Sequence, residues 1–189
     1  LVVDYCAGAG GKTLALAASM GVNRRIDGRL FACDISQGRI SRMERRLQRA
    51  GATEVSCKLL TGKDDAWMEK NKYSIDRVLV DVPCTGTGAW RRDPNAKWRL
   101  KPEQLDVFCA QQRKILVDSA TLVKLGGRLI YATCSMLYEE NEQQLLDFLK
   151  YNNGFTSIPI DQVWAETIGQ SPPPTGPYLR LSPASTGTD

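Results

Sequence analysis

The strongest constraint on the fold of this chain is its alternation of short apolar segments with longer amphipathic ones. The longer segments place apolar residues at helical spacing, as Ile40, Met43 and Leu47 do. We predict strands over residues 1–6, 29–34, 54–60, 76–82 and 128–133, a late strand over 178–182, and helices over 12–20, 36–50, 102–123 and 139–151. This alternation predicts parallel βαβ units, and therefore an α/β fold with a mostly parallel central sheet and helices on both faces.

Composition narrows the chemistry. The 189 residues fit one domain, and the absence of histidine excludes Ser-His-Asp and Cys-His catalysis and histidine metal sites, so we expect no metal. The six cysteines form no CxxC pair, which excludes zinc ribbons and thioredoxin-type motifs. Dispersed thiols favour a reducing intracellular compartment, cytoplasm or nucleolus. No apolar stretch reaches the ~20 residues of a membrane helix, so we expect no membrane partner.

Chemically useful side chains follow the predicted strands. In parallel sheets, ligands bind beyond the carboxyl ends of the strands. The residues at those ends are Cys6 with the turn 7–11, Asp34, Asp64 and Asp65, Asp81 with Cys84, and Cys134. This convergence of thiols and carboxylates around a glycine-rich turn predicts a functional site at this edge.

The glycine-rich turn resembles two nucleotide-binding motifs without completing either. The position that a P-loop fills with its first glycine holds Cys6, and the third glycine of the dinucleotide fingerprint would fall at Thr13. Asp34, at the end of the second strand, is placed to accept hydrogen bonds from ribose hydroxyls. The turn therefore suits either NAD or S-adenosylmethionine, and both stay open at this point.

Two of the thiols favour methyl transfer. A thiolate can attack carbon 6 of a pyrimidine, which makes carbon 5 nucleophilic enough to take a methyl group from a sulfonium. Cys84 and Cys134 follow strands that can be neighbours, and the Asp81 carboxyl could bind the cytosine ring. We interpret the other thiols outside the turn as core residues: Cys33, Cys57 and Cys109.

Three motifs then carry a resemblance. Residues 4–13 (DYCAGAGGKT), 80–84 (VDVPC) and 131–135 (YATCS) resemble the RNA cytosine-C5 methyltransferases, including the bacterial 16S rRNA type and Sun-domain relatives. Further matches are residues 90–94 (WRRDP), 97–98 (KW), 139–142 (EENE) and 180–183 (RLSP). The resemblance implies a Rossmann-like fold that binds S-adenosylmethionine, with Cys134 as nucleophile and Cys84 assisting product release.

The resemblance also implies cofactor contacts. The candidates are Cys6, Ala7, Gly8, Ala9, Gly10, Gly11, Lys12, Asp34, Arg39, Asp81 and one of Asp64 and Asp65, of which we favour Asp65. Gly8-Ala9 stands where the family usually has Ala-Pro, and Tyr138 where a proline is common. We expect residues 1–189 to be a catalytic methyltransferase domain, a fragment without the family's RNA-binding extension and final strand.

RNA is the expected partner, with rRNA favoured over tRNA, and we expect a monomer. We interpret Arg42, Arg45, Arg46 and Arg49 as a solvated helix face, and residues 90–101, rich in Arg, Lys and Trp, as an RNA contact. Three alternatives stay open: a DNA cytosine-C5 methyltransferase, a nicotinamide oxidoreductase and a non-catalytic RNA-binding scaffold. The DNA enzyme would use the Pro-Cys thiol, here Cys84, as nucleophile and would not require Cys134, so the presence of Cys134 speaks against it. No hydride-transfer constellation supports the oxidoreductase. A scaffold would be expected to lose its cysteines, and both Cys84 and Cys134 are intact.

Overall fold

The computed structural model describes residues 1–22, 25–62, 65–169 and 176–187. Five strands, β1 (Val2–Asp4), β4 (Leu30–Asp34), β5 (Ser56–Leu59), β6 (Ile75–Asp81) and β7 (Val123–Ala132), form a parallel sheet in the order β5-β4-β1-β6-β7. Two short strands, β2 (Gly21–Val22) and β3 (Arg25–Ile26), pair antiparallel. The predicted parallel sheet is confirmed.

Eight helices accompany the strands in the described residues. They are α1 (Gly11–Met20), α2 (Gln37–Arg49), α3 (Ala66–Lys70), α4 (Ala96–Arg99), α5 (Pro102–Ala120), α6 (Glu142–Tyr151), α7 (Ile160–Thr167) and α8 (Pro183–Thr186). Two 3-10 turns lie at Thr87–Ala89 and Tyr138–Glu140. Within the described part of the chain, no helix combines the length and the apolarity needed to cross a lipid bilayer.

Two sequence predictions were wrong in detail. The helix predicted to reach residue 123 ends at Ala120, because Val123 is buried and pairs with Ile75 in the sheet. The late strand over 178–182 does not form. Leu179 and Leu181, the apolar residues of that segment, stay partly exposed, so a strand there would bury no apolar face.

The first of two compact units comprises residues 1–83 and 110–133 and contains the parallel sheet. Its core includes the apolar face of α2, where Ile40, Met43 and Leu47 pack with Ala7 and Ala32. Burial of this face holds α2 beside β4 and beside the turn that follows β1. The core thus positions the glycine-rich turn.

The second unit comprises residues 84–109 and 134–189. The buried ring of Phe148 on α6 meets Phe155 with a centroid separation of 5.3 Å. Arg180 forms an ion pair with Glu142 at 2.7 Å, which links the late segment to the first turn of α6. This unit contains both Cys84 and Cys134.

Candidate cofactor and thiol sites

The glycine-rich turn between β1 and α1 depends on Gly10. Its φ of +81° lies in the left-handed region, and a Cβ there would lie 2.8 Å from Cγ of Met43. The Gly10 N–H donates to the carbonyl of Ala7 at 2.8 Å, and α1 begins at the next residue. Glycine is therefore required both for backbone conformation and for space.

Asp34 joins this turn to the next one. Its buried carboxylate accepts the N–H of Gly8 at 3.0 Å through Oδ2 and the N–H of Ser36 at 2.8 Å through Oδ1. The guanidinium of Arg39 lies 3.6 Å from the same carboxylate. The structure thus brings together three of the predicted cofactor residues, and each carboxylate oxygen has further lone pairs that can accept a hydroxyl.

Burial, and then the negative charges of Asp34 and Asp4, raise the pKa of Cys6 to about 12. Cys6 is therefore a neutral thiol at neutral pH and lines the turn rather than acting as a nucleophile. Asp4, which sequence reasoning did not single out, is fully buried and accepts the hydroxyl of Thr13 at 2.7 Å. This bond ties the end of β1 to the first turn of α1.

Lys12 and Asp81 form an ion pair, with Nζ 2.5 Å from Oδ2. The pairing of β1 with β6 in the parallel sheet brings these residues together across 69 positions of sequence. Sequence reasoning placed both in the site without predicting their contact. The pair sets a cation beside a carboxylate at the carboxyl edge of the sheet.

Asp65 has a capping role in the structure. Its carboxylate accepts four hydrogen bonds, from the N–H and hydroxyl of Thr61 and from the N–H groups of Trp67 and Met68 at the start of α3. Burial raises the pKa of Asp65, but these hydrogen bonds outweigh burial, so the pKa lies below its ordinary value. Asp64 lies outside the described residues, and contact of either residue with a cofactor stays a prediction.

The two predicted catalytic thiols meet. Sγ of Cys84 lies 3.3 Å from Sγ of Cys134, and both are free thiols. They follow neighbouring parallel strands, since Asp81 of β6 pairs with Ala132 of β7. Cys134 is exposed and Cys84 is half-buried, so Cys134 is the thiol more accessible to a substrate.

The loop that carries Cys84 packs against the segment that carries Cys134. Gly88 donates its N–H to the carbonyl of Cys134 at 2.9 Å, and a Cβ on Gly88 would lie 2.8 Å from that oxygen. The hydroxyl of Thr87 lies 3.1 Å from that of Ser135 and accepts the N–H of Met136 at 2.8 Å. These contacts fix the loop that carries Cys84 against the segment that carries Cys134.

A buried carboxylate completes this packing. Glu140 is fully buried and accepts two hydrogen bonds from Thr85, the residue after Cys84. Asn141 donates to the carbonyl of Ser135 at 3.0 Å, next to Cys134. Sequence reasoning missed the position of Glu140. The available signal was the segment 139–142 (EENE), which was interpreted only as a match to the family.

The environment of Cys84 raises its pKa. The hydrogen bond with Cys134, then burial, then the negative charge that Cys134 can carry, all raise the pKa of Cys84. Cys84 is therefore a neutral thiol at neutral pH, and either sulfur of the pair can donate the hydrogen bond that joins them.

The remaining thiols are structural. Cys33 and Cys109 are buried, and Cys57 packs against the α2 cluster, as expected of core residues. The other turn residues also have backbone roles: the N–H of Ala7 donates to the carbonyl of Cys33 at 2.9 Å, and Arg46 donates to the carbonyl of Ala9 at 3.3 Å. These bonds hold the turn between β4 and α2.

The chain is similar to a known protein family and to several of its members. The family described as 16S rRNA methyltransferase RsmB/F matches residues 1–189. The chain is 33% identical over 183 residues to the probable ribosomal RNA small subunit methyltransferase B of Synechocystis sp., covering 96% of this chain and 39% of that protein. It is 36% identical over 150 residues to ribosomal RNA small subunit methyltransferase B of Citrobacter koseri, covering 79% of this chain and 33% of that protein. The chain therefore spans less than half the length of these curated relatives.

Solved structures agree. A crystal structure described as PH0851 superposes with a TM-score of 0.81 at 32% identity, over 96% of this chain and 39% of that one. A structure described as NSun6 from Pyrococcus horikoshii with SFG gives a TM-score of 0.68 at 25% identity, over 79% of this chain and 36% of that one. The fold shared with these proteins extends over most of the present chain.

Proposed function

Because the chain belongs to the 16S rRNA methyltransferase RsmB/F family, we propose that it transfers a methyl group from S-adenosylmethionine to carbon 5 of a cytosine in RNA. Family and fold confirm the predicted Rossmann-like methyltransferase and its cofactor, S-adenosylmethionine. The observation that carries the position of methylation is the thiol pair, with Sγ of an exposed Cys134 3.3 Å from Sγ of Cys84. A nucleophile beside a second thiol is what addition to, and release from, a pyrimidine ring requires.

The residues of the first unit fit S-adenosylmethionine. A Cβ on Gly8 or Gly11 would meet nothing closer than 3.9 Å, so the backbone of the turn is open to a ligand. The Asp34 carboxylate would hold the ribose, with Arg39 beside it, and neutral Cys6 lines the turn without a charge. When bound, the cofactor supplies an electrophilic methyl group on a sulfonium.

The first chemical step is assigned to Cys134. Its sulfur attacks carbon 6 of the cytosine and forms an S–C bond, and the displaced ring electrons make carbon 5 nucleophilic. Asp81, which Lys12 contacts at 2.5 Å within the first unit, stays the predicted hydrogen-bond partner of the cytosine. Carbon 5 would then form a bond to the methyl carbon, while the S–CH3 bond breaks and its electron pair leaves with the sulfur as a neutral thioether.

Release is assigned to Cys84. The proton on carbon 5 must leave so that its electron pair can expel the sulfur of Cys134 and restore the aromatic ring. Before Cys134 adds to carbon 6, its hydrogen bond and its negative charge raise the pKa of Cys84. Once Cys134 is bound to carbon 6, both effects are lost, so Cys84 ionises more readily at the stage when a base is needed. Cys84 takes the proton directly or through a water.

The test compares two alanine variants on RNA transcribed from the small ribosomal subunit. Cys134→Ala should give no methylation and no covalent adduct, even with 5-fluorocytidine RNA, whose fluorine cannot leave as a proton does. Cys84→Ala should accumulate an adduct on ordinary RNA that survives denaturing electrophoresis. An adduct in Cys134→Ala and none in Cys84→Ala would reverse the roles and favour the DNA cytosine-C5 methyltransferase alternative, in which Cys84 is the nucleophile. Binding of RNA with neither adduct nor methylation in the unsubstituted chain would support the scaffold alternative.

The names of the curated relatives support rRNA over tRNA as the substrate. The specific cytosine would be identified by sequencing the methylated product. The monomeric state and the reducing compartment stay predictions.

A further inference from the structure

We propose that residues 91–101, here called the basic segment, dock single-stranded RNA, and that the indole of Trp98 stacks on an unpaired base. The inference rests on the proposed function, since it identifies where the second unit holds the RNA substrate. It concerns binding alone, and its test is separate from the test of methylation.

The basic segment carries a dense positive charge. The segment contains one carboxylate, Asp93, and five cations: Arg91, Arg92, Lys97, Arg99 and Lys101. Its net charge of +4 equals that of the whole chain, so the remaining residues are electrically balanced. This charge attracts a polyanion, but α2 carries the same net charge, since Glu44 alone opposes its five arginines, so charge by itself does not select the basic segment.

Trp98 distinguishes RNA from other polyanions. Its side chain is 82% exposed on α4, a helix of four residues, whereas an aromatic side chain of this kind typically buries ~150–250 Å². Other apolar side chains are exposed elsewhere, so exposure alone is not informative. An exposed indole within a basic segment matches a base with its attached phosphate, because every base offers a π face for stacking.

Lys97 links the charge to the rings. Its Nζ lies 5.5 Å from the ring centroid of Trp98 and 5.8 Å from that of Trp90. A cation held by aromatic faces keeps its attraction for phosphate, whereas Arg99 is already paired with Asp93 at 2.7 Å. A base stacked on Trp98 would thus place its phosphate within reach of an ammonium that is already beside the ring.

The basic segment is also continuous with the thiol loop. It begins two residues after the 3-10 turn Thr87–Ala89, whose Gly88 donates to the carbonyl of Cys134. Both lie in the second unit. RNA held by the basic segment would therefore be retained by the same unit that carries the nucleophile, which favours nucleotides near the target cytosine as the ones bound there.

The test for stacking uses the 189-residue chain and a fluorescently labelled single-stranded RNA of mixed sequence, followed by anisotropy across a salt series. Trp98→Ala should weaken binding by roughly 5- to 150-fold, the range expected for loss of one base–aromatic stack. The slope of log affinity against log salt should not change, because no cation is removed. Tyr151→Ala is the matched control, an exposed aromatic with Lys150 5.3 Å from its ring, and should bind as the unsubstituted chain does.

The test for charge uses the double variant Arg91→Ala/Arg92→Ala. Two lost phosphate contacts should reduce the salt slope by about 1.4, since each contact contributes ~0.7 on a single strand. Removal of two exposed cations from α2, Arg45→Ala/Arg49→Ala, should leave that slope unchanged.

Unchanged RNA affinity in Trp98→Ala would overturn the proposal. A loss of affinity in Tyr151→Ala equal to that in Trp98→Ala would also overturn it, as would a fall in salt slope in Arg45→Ala/Arg49→Ala equal to that in Arg91→Ala/Arg92→Ala. Equal affinity of the unsubstituted chain for duplex RNA, or displacement of the RNA by polyglutamate at equal charge, would also overturn it, because neither ligand offers an unpaired base. Trp98→Phe, which keeps a ring, should recover part of the affinity. The adduct assay on the unsubstituted chain tests the methyltransferase proposal independently, so failure of either proposal leaves the other measurable.

Discussion

The carboxylate of Glu140 accepts both hydrogen bonds that Thr85 donates, from the backbone N–H at 2.9 Å and from the hydroxyl at 2.5 Å. Thr85 directly follows Cys84, and Glu140 lies in the 3-10 turn six residues after Cys134. Glu140 therefore fixes one thiol-bearing loop against the other. We regard it as a positioning residue, because it acts through Thr85 and not on the substrate.

Glu140→Gln should loosen this contact. An amide offers one acceptor oxygen where the carboxylate offers two, and loss of a hydrogen bond to a charged group costs ~1–3 kcal/mol of unfolding free energy. Alkylation of Cys84, followed by peptide mass spectrometry, should become faster because the loop is released. Glu139→Gln, an exposed neighbour, is the control and should change neither quantity. Equal Cys84 reactivity in the two variants would exclude a positioning role.

Cys134→Ala should lower the pKa of Cys84. The hydrogen bond and the negative charge of Cys134 both raise that pKa, so their removal shifts ionisation of Cys84 to lower pH. The pH at which Cys84 alkylation reaches half its maximal rate should therefore fall, while Cys57→Ala leaves it unchanged. A midpoint that stays the same or rises in Cys134→Ala would contradict the proposed coupling between adduct formation and release.

Gly10→Ala should lower the free energy of unfolding much more than Gly11→Ala does. Alanine at residue 10 must adopt a left-handed φ, which costs ~1–2 kcal/mol, and must also displace the side chain of Met43. Gly11 begins α1 without a positive φ, and a Cβ there meets only Arg46 at 4.0 Å. Urea unfolding should show lower stability for Gly10→Ala alone, and calorimetry should show that Gly10→Ala also weakens binding of S-adenosylmethionine. Equal free energies of unfolding for the two variants would show that the left-handed backbone at Gly10 is not required for stability.

Asp65 should stabilise the fold in a pH-dependent way. Its pKa is lowered on folding, so its contribution is present above the unfolded pKa, ~3.9, and is lost as the pH falls through the folded pKa. Asp65→Ala should cost ~1–2 kcal/mol at pH 7 through loss of the α3 cap, and the difference from the unsubstituted chain should shrink in acid. Asp106→Ala, at an exposed position of α5, is the control.

Calorimetry on Asp65→Asn tests the predicted cofactor contact at that residue. If Asp65 contacts S-adenosylmethionine, Asp65→Asn should weaken cofactor binding by more than its loss of folding stability explains. Affinity equal to that of the unsubstituted chain would show that Asp65 acts as a cap alone.

Some elements escaped prediction for a physical reason. Helices α3 and α4 have five and four residues, too few to show a hydrophobic period or to be stable alone, so capping and tertiary contacts decide whether they form. Tertiary contacts also decide where α5 ends, because Val123 pairs with Ile75 in the sheet instead of continuing the helix. Local pattern was misleading where a longer-range contact outweighed it.

The sequence by itself determined the class of fold, and it predicted which residues belong to the candidate site. Alternating strands and helices require a parallel sheet, and a parallel sheet collects at one edge whatever follows its strands, including Asp34, Cys84 and Cys134. Only the tertiary structure decided which of these residues touch. Sγ of Cys84 meets Sγ of Cys134 across 50 positions of sequence, and Lys12 meets Asp81 across 69. Such pairings follow from the strand order and from loop packing, and hydrophobic periodicity carries information about the face that a residue occupies but none about its distant partner.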